Sequence, residues 1–386
     1  MNSQLTGTDQ AHLARALELA ERGRGRVSPN PLVGAVLARE AVVIGEGWHR
    51  ELGALHAEVA ALQDCRARGA DPAGASMYVT LEPCAHQGRQ PPCVDAILES
   101  GLARVVIASE DPSEWAGGRG PGALRDRGVA VEFVDGEQAA AARLLNQPFR
   151  KHARTGLPLI TLKLAMSLAG QTATAPGESG WISAEPSRAL VHRWRAESDA
   201  IAIGIGTALA DDPLLTARSE GSPRQPLRVI FDRRARLPLD SRLLLTLEQA
   251  PVILIASPQA DQARVGALHD AGAEVLLCDG VEPALAELGR REITSIFLEG
   301  GPTLAAAFAA CDQIDESRTF IAPLLLPSAS PGEAPGGAGR DGGQGGEEAG
   351  AVFGSPARGS VIRASAAVGM EMIGEDVLIR ARFREW

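Results

Sequence analysis

No part of the chain restricts its fold as tightly as the stretch from His56 to Cys93. It opens with His56-Ala57-Glu58, crosses the apolar run Met77 to Leu81, and closes with Glu82-Pro83-Cys84 and, after eight intervening residues, Cys93. One imidazole, two thiols and a carboxylate are the donors of a catalytic zinc site, in which three protein ligands leave one coordination position open. To share one ion, the chain near residue 56 and the loop from 84 to 93 must meet. The apolar spacing of Val59 and Leu62 predicts a helix from Ala57 to Arg68 with His56 and Glu58 at its start. Met77 to Leu81 reads as a strand and Pro92 to Glu99 as a second helix. Both ligand groups therefore stand where a strand or loop hands over to a helix N-terminus, whose free amides and positive dipole end favour thiolate over thiol.

Strand and helix alternate through the rest of the chain, which predicts an α/β fold with helices layered on sheets. Asp9 is expected to cap a first helix carrying Leu13, Leu17 and Ala20. Ser28-Pro29-Asn30-Pro31 is a turn, and strands follow at 33–37, 42–44 and 105–108. A helix at 135–146 closes this half. Residues 150–158 read as a basic linker, dividing a domain at 1–149 from a second at 159–386. In the second half, strands are expected at 201–205, 228–232, 251–256, 274–278 and 295–299. Helices fill 185–197, 261–271, 282–290 and 302–310, and final strands fall at 361–363 and 377–381. Residues 327–360 are Gly, Pro, Ala and Glu with almost no large apolar side chain, so they are expected to form a mobile insertion.

Composition removes several classes of function. A net charge of −10 argues against an electrostatic grip on nucleic acid. Five cysteines, an odd number with two beside a motif histidine, read as intracellular metal chemistry rather than a disulfide framework. A polar N-terminus and the lack of a long apolar run give neither a signal peptide nor a membrane span, so a cytoplasmic protein is expected. A homo-oligomer is compatible with all of this.

The zinc reading assigns His56, Cys84 and Cys93 as ligands and Glu58 as proton shuttle. Four protein ligands would instead make a closed structural site, with Cys65 or His86 as the fourth. His86 and His49 are polar candidates for substrate contact, and Asn30 is either a turn former or a reader of a base edge. Lys163 is one of only two lysines and sits inside an apolar segment. Taken by itself it reads as a lysine snorkelling from a strand end rather than a functional group. The order H-x-E then P-C is that of zinc nucleobase deaminases, whose cysteines stand two residues apart rather than eight.

That wide spacing belongs to a family that the chain resembles closely, the bifunctional riboflavin-biosynthesis deaminase–reductases. The resemblance rests on Ser28 to Gly34, His56-Ala57-Glu58, and the Pro83 to Cys93 loop. In the second half it rests on Lys163 to Leu168, Gly177 to Ile182, Ala210 to Arg218 and Glu299 to Leu304. It implies a cytidine-deaminase-like three-layer domain followed by a domain similar to dihydrofolate reductase, with Zn2+ and NADPH as cofactors. The implied substrate is a small phosphoribosylaminopyrimidine, deaminated to the uracil and then reduced from ribosyl to ribityl. By the resemblance, NADPH contacts fall on Ala165, Trp181, Thr207, Asp211 and the run Gly301, Pro302, Thr303, Leu304, Ala305, Ala306 and Ala307. Substrate contacts fall on Ser179, Arg195, Leu215, Arg218 and Glu299. Lys163 is then expected beside Glu299 as the group that supplies a proton during reduction, and Arg233 or Arg234 as the grip on the cofactor's 2′-phosphate. Asp211-Asp212-Pro213 reads as a turn and helix start rather than a metal pair. Ala169 replaces the family's usual Asp, and Ser113 its usual Asn.

Overall fold

The computed structural model describes residues 6–88, 90–114, 116–172, 182–218, 224–325 and 366–386. Its chain divides into two compact units. One is Met1–Leu159 with Leu288–Thr294 and Glu385–Trp386; the other is Ile160–Glu287 with Ser295–Arg384. Trp181, Ser179 and the insertion at 327–360, with the strand expected at 361–363, lie outside the described residues.

The first unit holds helix α1 (Gly7–Glu21), strands β1 (Gly34–Arg39) and β2 (Val42–Trp48), helix α2 (Ala57–Ala67), strand β3 (Ser76–Val79), helix α3 (Cys93–Glu99), strand β4 (Arg104–Ile107), helix α4 (Arg119–Asp126), strand β5 (Ala130–Phe133), and helices α5 (Glu137–Leu145) and α6 (Gln147–Thr155). The five strands lie in the order β2-β1-β3-β4-β5. β1 runs antiparallel to β2 and β3, whereas β3, β4 and β5 are parallel. Side chains alternate across this sheet. Met77, Val79, Val105 and Ile107 pack with Leu62 of α2, Ile97 of α3 and Leu124 of α4. Tyr78 and Val106 pack on the other side with Leu13 and Leu19 of α1 and Ala142 of α5. The result is a three-layer helix–sheet–helix sandwich.

Two local expectations change. The cap of α1 is Thr6, whose side chain accepts from the Asp9 amide while Asp9 reaches back to the Thr6 amide. Asp9 is the third residue of the helix, and its other oxygen takes hydrogen bonds from Tyr78 and Arg104, both at 2.7 Å. Residues 150–155, given to a linker by their basic character, belong to α6. Its Arg150 is buried and bonds Ser109 Oγ and Glu110. A basic residue that is itself buried and hydrogen-bonded no longer marks a solvated segment.

The second unit holds strand β6 (Leu159–Ser167), helix α7 (Glu185–Glu197), strand β7 (Ala200–Gly204), helix α8 (Ile205–Asp211), strand β8 (Leu227–Phe231), helix α9 (Arg242–Leu245), strand β9 (Val252–Ala256), helix α10 (Gln262–Asp270), strand β10 (Glu274–Leu277), helix α11 (Val281–Arg290), strand β11 (Ser295–Leu298), helix α12 (Pro302–Ala310), and strands β12 (Glu316–Ala322), β13 (Ala366–Ile373) and β14 (Asp376–Arg382). Nine strands lie in the order β10-β9-β8-β7-β11-β6-β12-β14-β13. Strands β7 to β11 are parallel to their neighbours within β10-β9-β8-β7-β11. From β7 the chain steps outward through β8, β9 and β10, then returns to β11 on the other flank of β7. Such a reversal opens a crevice at the carboxyl ends of the two strands. Ile203, Ile230, Leu254 and Leu268 form one core. Trp194 of α7 anchors another, 5.6 Å from Phe320 and 5.9 Å from Phe297 between ring centroids. Among the described residues, no helix is long and apolar enough to cross a membrane.

Candidate active sites

In the first unit, His56 is the N-cap of α2, Cys84 lies on the loop after β3, and Cys93 is the first residue of α3. Close packing sets these positions. A side chain on Gly47 of β2 would meet the Ala61 amide of α2 at 2.3 Å, so only glycine lets the helix lie so near the sheet. A side chain on Gly120 would meet the Pro83 carbonyl at 1.8 Å, which fixes α4 against the residue before Cys84.

The ligand atoms of His56, Cys84 and Cys93 all lie within 4.8 Å of one another. His56 Nδ1 stands 3.6 Å from Cys84 Sγ and 3.3 Å from Cys93 Sγ. A tetrahedral zinc with its usual bonds to nitrogen and sulfur spaces such donors about 3.5 Å apart, so the three fit the ion. Among the described residues, no fourth histidine, cysteine or carboxylate joins the cluster, and Cys65 Sγ instead contacts the Ala70 carbonyl at 3.5 Å. Hydrogen bonding from Cys93, together with His56, pulls the Cys84 thiol down to about 4 against the effect of burial. The same contact and burial push the Cys93 thiol up.

Glu58 lies in the first turn of α2 and is buried. Burial, with the nearby Cys84, pushes its carboxyl up to about 7. His49 is buried with its ring 5.5 Å from that of His56. Its Nδ1 lies 3.0 Å from the Leu55 carbonyl, so that nitrogen carries the proton, and Nε2 accepts from Asn30 Nδ2 at 3.1 Å. Burial lowers the His49 pKa, and His56 adds to the effect. Asn30 and His49 thus join the zinc cluster as a connected set. His86 is half-buried on the loop between the two cysteines. Glu82, which no motif singled out, accepts from the Gly118 amide at 2.7 Å, while its other oxygen is buried without a partner. Ser113 bonds Asp111 through both its amide and its hydroxyl.

The second unit gathers its candidates at the carboxyl ends of parallel strands. Thr207 and Asp211 belong to α8 after β7, and Arg233 follows β8. Glu299 and the run from Gly301 to Ala307 follow β11, with Gly301 as the N-cap of α12 and Pro302 to Ala307 inside that helix. A side chain on Gly301 would stand 3.6 Å from Thr207 Oγ1, so the two meet across the crevice between β7 and β11. Arg233 and Arg234 are exposed on a turn held by buried Asp232, which accepts from the Arg236 and Leu237 amides. The Asp211-Asp212 pair ends α8 instead of starting a helix. Asp212 is its C-cap at φ 37°, and its side chain accepts from the Arg242 amide. Pro213 blocks the continuation of α8 rather than opening a new helix.

Arg195 of α7 binds Glu299 with two donors, Nε at 2.6 Å and a terminal nitrogen at 2.9 Å. A third nitrogen reaches the Thr216 carbonyl at 3.2 Å. Leu215 is buried beside it at φ 51°. Burial lowers the Lys163 pKa, partly offset by Glu299. Burial raises the Glu299 pKa, but Arg195 and then Lys163 outweigh it and hold the carboxylate low. Arg218 is exposed, and Ala165 is half-buried in β6, two residues from Lys163. His192, one helical turn before Arg195, was missed. Burial, then the charges of Arg195 and Arg218, lower its pKa. Its spacing to Arg195 was the available signal.

Residues 6–109 match the cytidine and deoxycytidylate deaminase zinc-binding region, and residues 158–338 match the RibD C-terminal domain. The riboflavin biosynthesis protein RibD of Aquifex aeolicus is 39% identical over 320 residues, covering 82% of this chain and 88% of that protein. RibD of Escherichia coli is 39% identical over 340 residues, covering 83% and 89%. Among solved structures, Acinetobacter baumannii RibD aligns with a TM-score of 0.79 at 35% identity, covering 97% of this chain and 98% of that one. A Thermotoga maritima diaminohydroxyphosphoribosylaminopyrimidine deaminase/5-amino-6-(5-phosphoribosylamino)uracil reductase aligns with the same TM-score at 34% identity and the same coverage. With its α/β architecture, its zinc-binding deaminase region and its RibD C-terminal domain, the chain belongs to the RibD family of riboflavin-biosynthesis proteins.

Proposed function

We propose that this chain hydrolytically deaminates 2,5-diamino-6-(5-phosphoribosylamino)pyrimidin-4-one to 5-amino-6-(5-phosphoribosylamino)uracil and then reduces the ribosyl group to ribityl with NADPH. The observation that carries this reading is a three-donor cluster with a buried carboxyl on the same helix turn as its histidine. The deaminase half is assigned to residues 1–149 extended by α6, and the reductase half to 159–386. Free of any membrane-length helix among its described residues, the enzyme is assigned to the cytoplasm with small-molecule substrates.

His56 Nδ1, Cys84 Sγ and Cys93 Sγ would hold the metal. Zinc, when bound, supplies the Lewis acidity that makes water a nucleophile near neutral pH. Glu58 takes a proton from the attacking water on its carboxylate and returns it to the departing amine nitrogen, so that ammonia leaves neutral. A carboxyl held near 7 suits a group that must both accept and donate. Asn30, oriented by neutral His49, presents its amide oxygen to the pyrimidine, and His86 borders the same site.

In the other half, the α12 N-terminus offers backbone amides to a dinucleotide phosphate, with Thr207 and Asp211 on the facing helix. NADPH, when bound, supplies the two electrons of the reduction. Lys163 Nζ donates the proton to the carbonyl oxygen of the opened sugar, and its lowered pKa favours that release. Glu299 orients Lys163 and a sugar hydroxyl, while Arg195 holds Glu299. Arg218 meets the sugar phosphate. One assay that follows ammonia release and NADPH consumption on the same substrate tests the whole reading. Release of ammonia without NADPH consumption, or neither, would reject it.

A further inference from the structure

Arg150 of α6 is only 2% exposed, and neither reaction proposed above uses it. Its Nε donates to the main-chain oxygen of Trp386 at 2.5 Å. One terminal nitrogen reaches Ser109 Oγ at 3.1 Å and the Glu110 carbonyl at 3.2 Å, and the other reaches a Glu110 carboxylate oxygen at 2.6 Å. All of these partners belong to the first unit. Trp386 is a fixed backstop, because its amide donates to Gln147 Oε1 at 2.8 Å and its ring lies 5.4 Å from Lys151 Nζ. Ser109 and Glu110 lie just beyond β4, and Glu82 fastens the same segment from the other side. The Glu82 amide donates to the Ser109 carbonyl at 3.0 Å, and its side chain accepts from the amide of Gly118, the N-cap of α4, at 2.7 Å. Glu82 stands two residues before the metal donor Cys84.

Taking a guanidinium out of water is costly, and an apolar side chain of similar volume in its place is often neutral or stabilising. Filling space therefore does not explain an arginine here. What an apolar side chain cannot do is hold position, since the planar fork fixes direction as well as distance. The contact with Glu110 is a charged one. Burial pushes the Glu110 carboxyl up, but the hydrogen bond from Arg150 outweighs it and holds the group low. We propose that Arg150 is a positioning residue of the zinc site: braced by Trp386, it fixes Ser109 and Glu110, and through Glu82 the loop that carries Cys84. The inference rests on the deaminase reading of the first unit.

Arg150→Leu in the zinc-loaded full chain tests this, because leucine fills the space without the fork. The variant is expected to melt near the parent's temperature, yet to lose zinc to a chromogenic chelator about 10-fold faster. Its deaminase kcat should fall about 10-fold with KM little changed. NADPH consumption on the deaminated substrate should stay at the parental rate. A merely structural arginine would lower the melting temperature and leave zinc release and kcat of the folded protein unmoved. Arg154→Leu, exposed on the same helix, should leave these rates at the parental level. If Arg150→Leu does not fold, Glu110→Gln removes the fork's charged partner at a half-exposed position and should shift zinc release and kcat in the same direction, but less. Folded Arg150→Leu that releases zinc and ammonia as the parent does overturns the inference, and in its place so does Glu110→Gln with parental rates. A parent that releases no ammonia would refute the deaminase reading instead, and the zinc-release rates would still decide the role of Arg150.

Discussion

Arg195 and Glu299 form a two-pronged ion pair with bonds of 2.6 and 2.9 Å, although helix α7 and strand β11 bring them from 104 positions apart. Both side chains are largely buried, so the pair depends on its geometry rather than on charge alone. Lysine at 195 keeps the charge and loses the fork. Arg195→Lys is expected to lower reductase kcat/KM about 10- to 100-fold and leave ammonia release unchanged. NADPH consumption on the deaminated substrate measures it.

Lys163→Met keeps an unbranched side chain, one atom shorter, and removes the proton. Loss of a general acid costs on the order of 100- to 10,000-fold. Reduction should fall by that amount while deamination proceeds, and unchanged reduction would discard the proton-donor role.

The two halves should respond oppositely to metal removal. Dialysis against a chelator is expected to abolish ammonia release and to spare NADPH consumption on the deaminated substrate. Glu58→Gln should lose deamination about 100- to 10,000-fold yet still bind one zinc per chain, as read by atomic emission. Loss of zinc in that variant would mean that Glu58 supports the ligands instead.

Asp9 links stability to acid. Burial pushes its carboxyl up, but hydrogen bonds from Arg104, Tyr78 and Thr6 prevail and hold it well below its ordinary value of 3.8. A depressed folded pKa means stability that is present above about pH 4 and disappears as pH falls through the folded value. Asp9→Asn should therefore cost on the order of 2 kcal/mol near pH 7. In thermal melts taken across pH, the gap between variant and parent should close towards pH 2.

Arg233 and Arg234 are exposed on the turn after β8, the strand that neighbours β7. Replacing both with Ala should reduce the preference for NADPH over NADH by 10-fold or more, measured as the ratio of the two kcat/KM values. An unchanged ratio would place the 2′-phosphate elsewhere.

Much of this architecture was legible because periodicity and punctuation agreed. The strand expected at 295–299 is found at Ser295–Leu298, ahead of Gly300-Gly301, and the helix expected at 302–310 at Pro302–Ala310, between that glycine pair and Cys311. The misses have physical causes. Strand β12 reads Glu-Ser-Arg-Thr-Phe-Ile-Ala, whose polar residues are paid off by cross-strand partners such as Arg382 with Glu316, which sequence spacing does not reveal. Helix α6 was hidden by its basic residues, and α8 by a short Gly-Thr-Ala-Leu-Ala run before Pro213. At the sites, local patterns exposed the three donors and Glu58, since they sit within motifs. Glu82 and His192 gain their surroundings only from distant segments, the one from Gly118 and the other from Thr216 and Arg218.

The contact of Gly47 with α2 has one more consequence. That helix carries a metal donor at its cap and the carboxyl two residues later, so any displacement moves both as one lever. A methyl group at 47 would tilt the lever, and metal affinity and turnover would decline together. The deaminase cannot trade one for the other through changes in that strand, and separate tuning must come from the cysteine loop, which hangs between β3 and α3 rather than on α2.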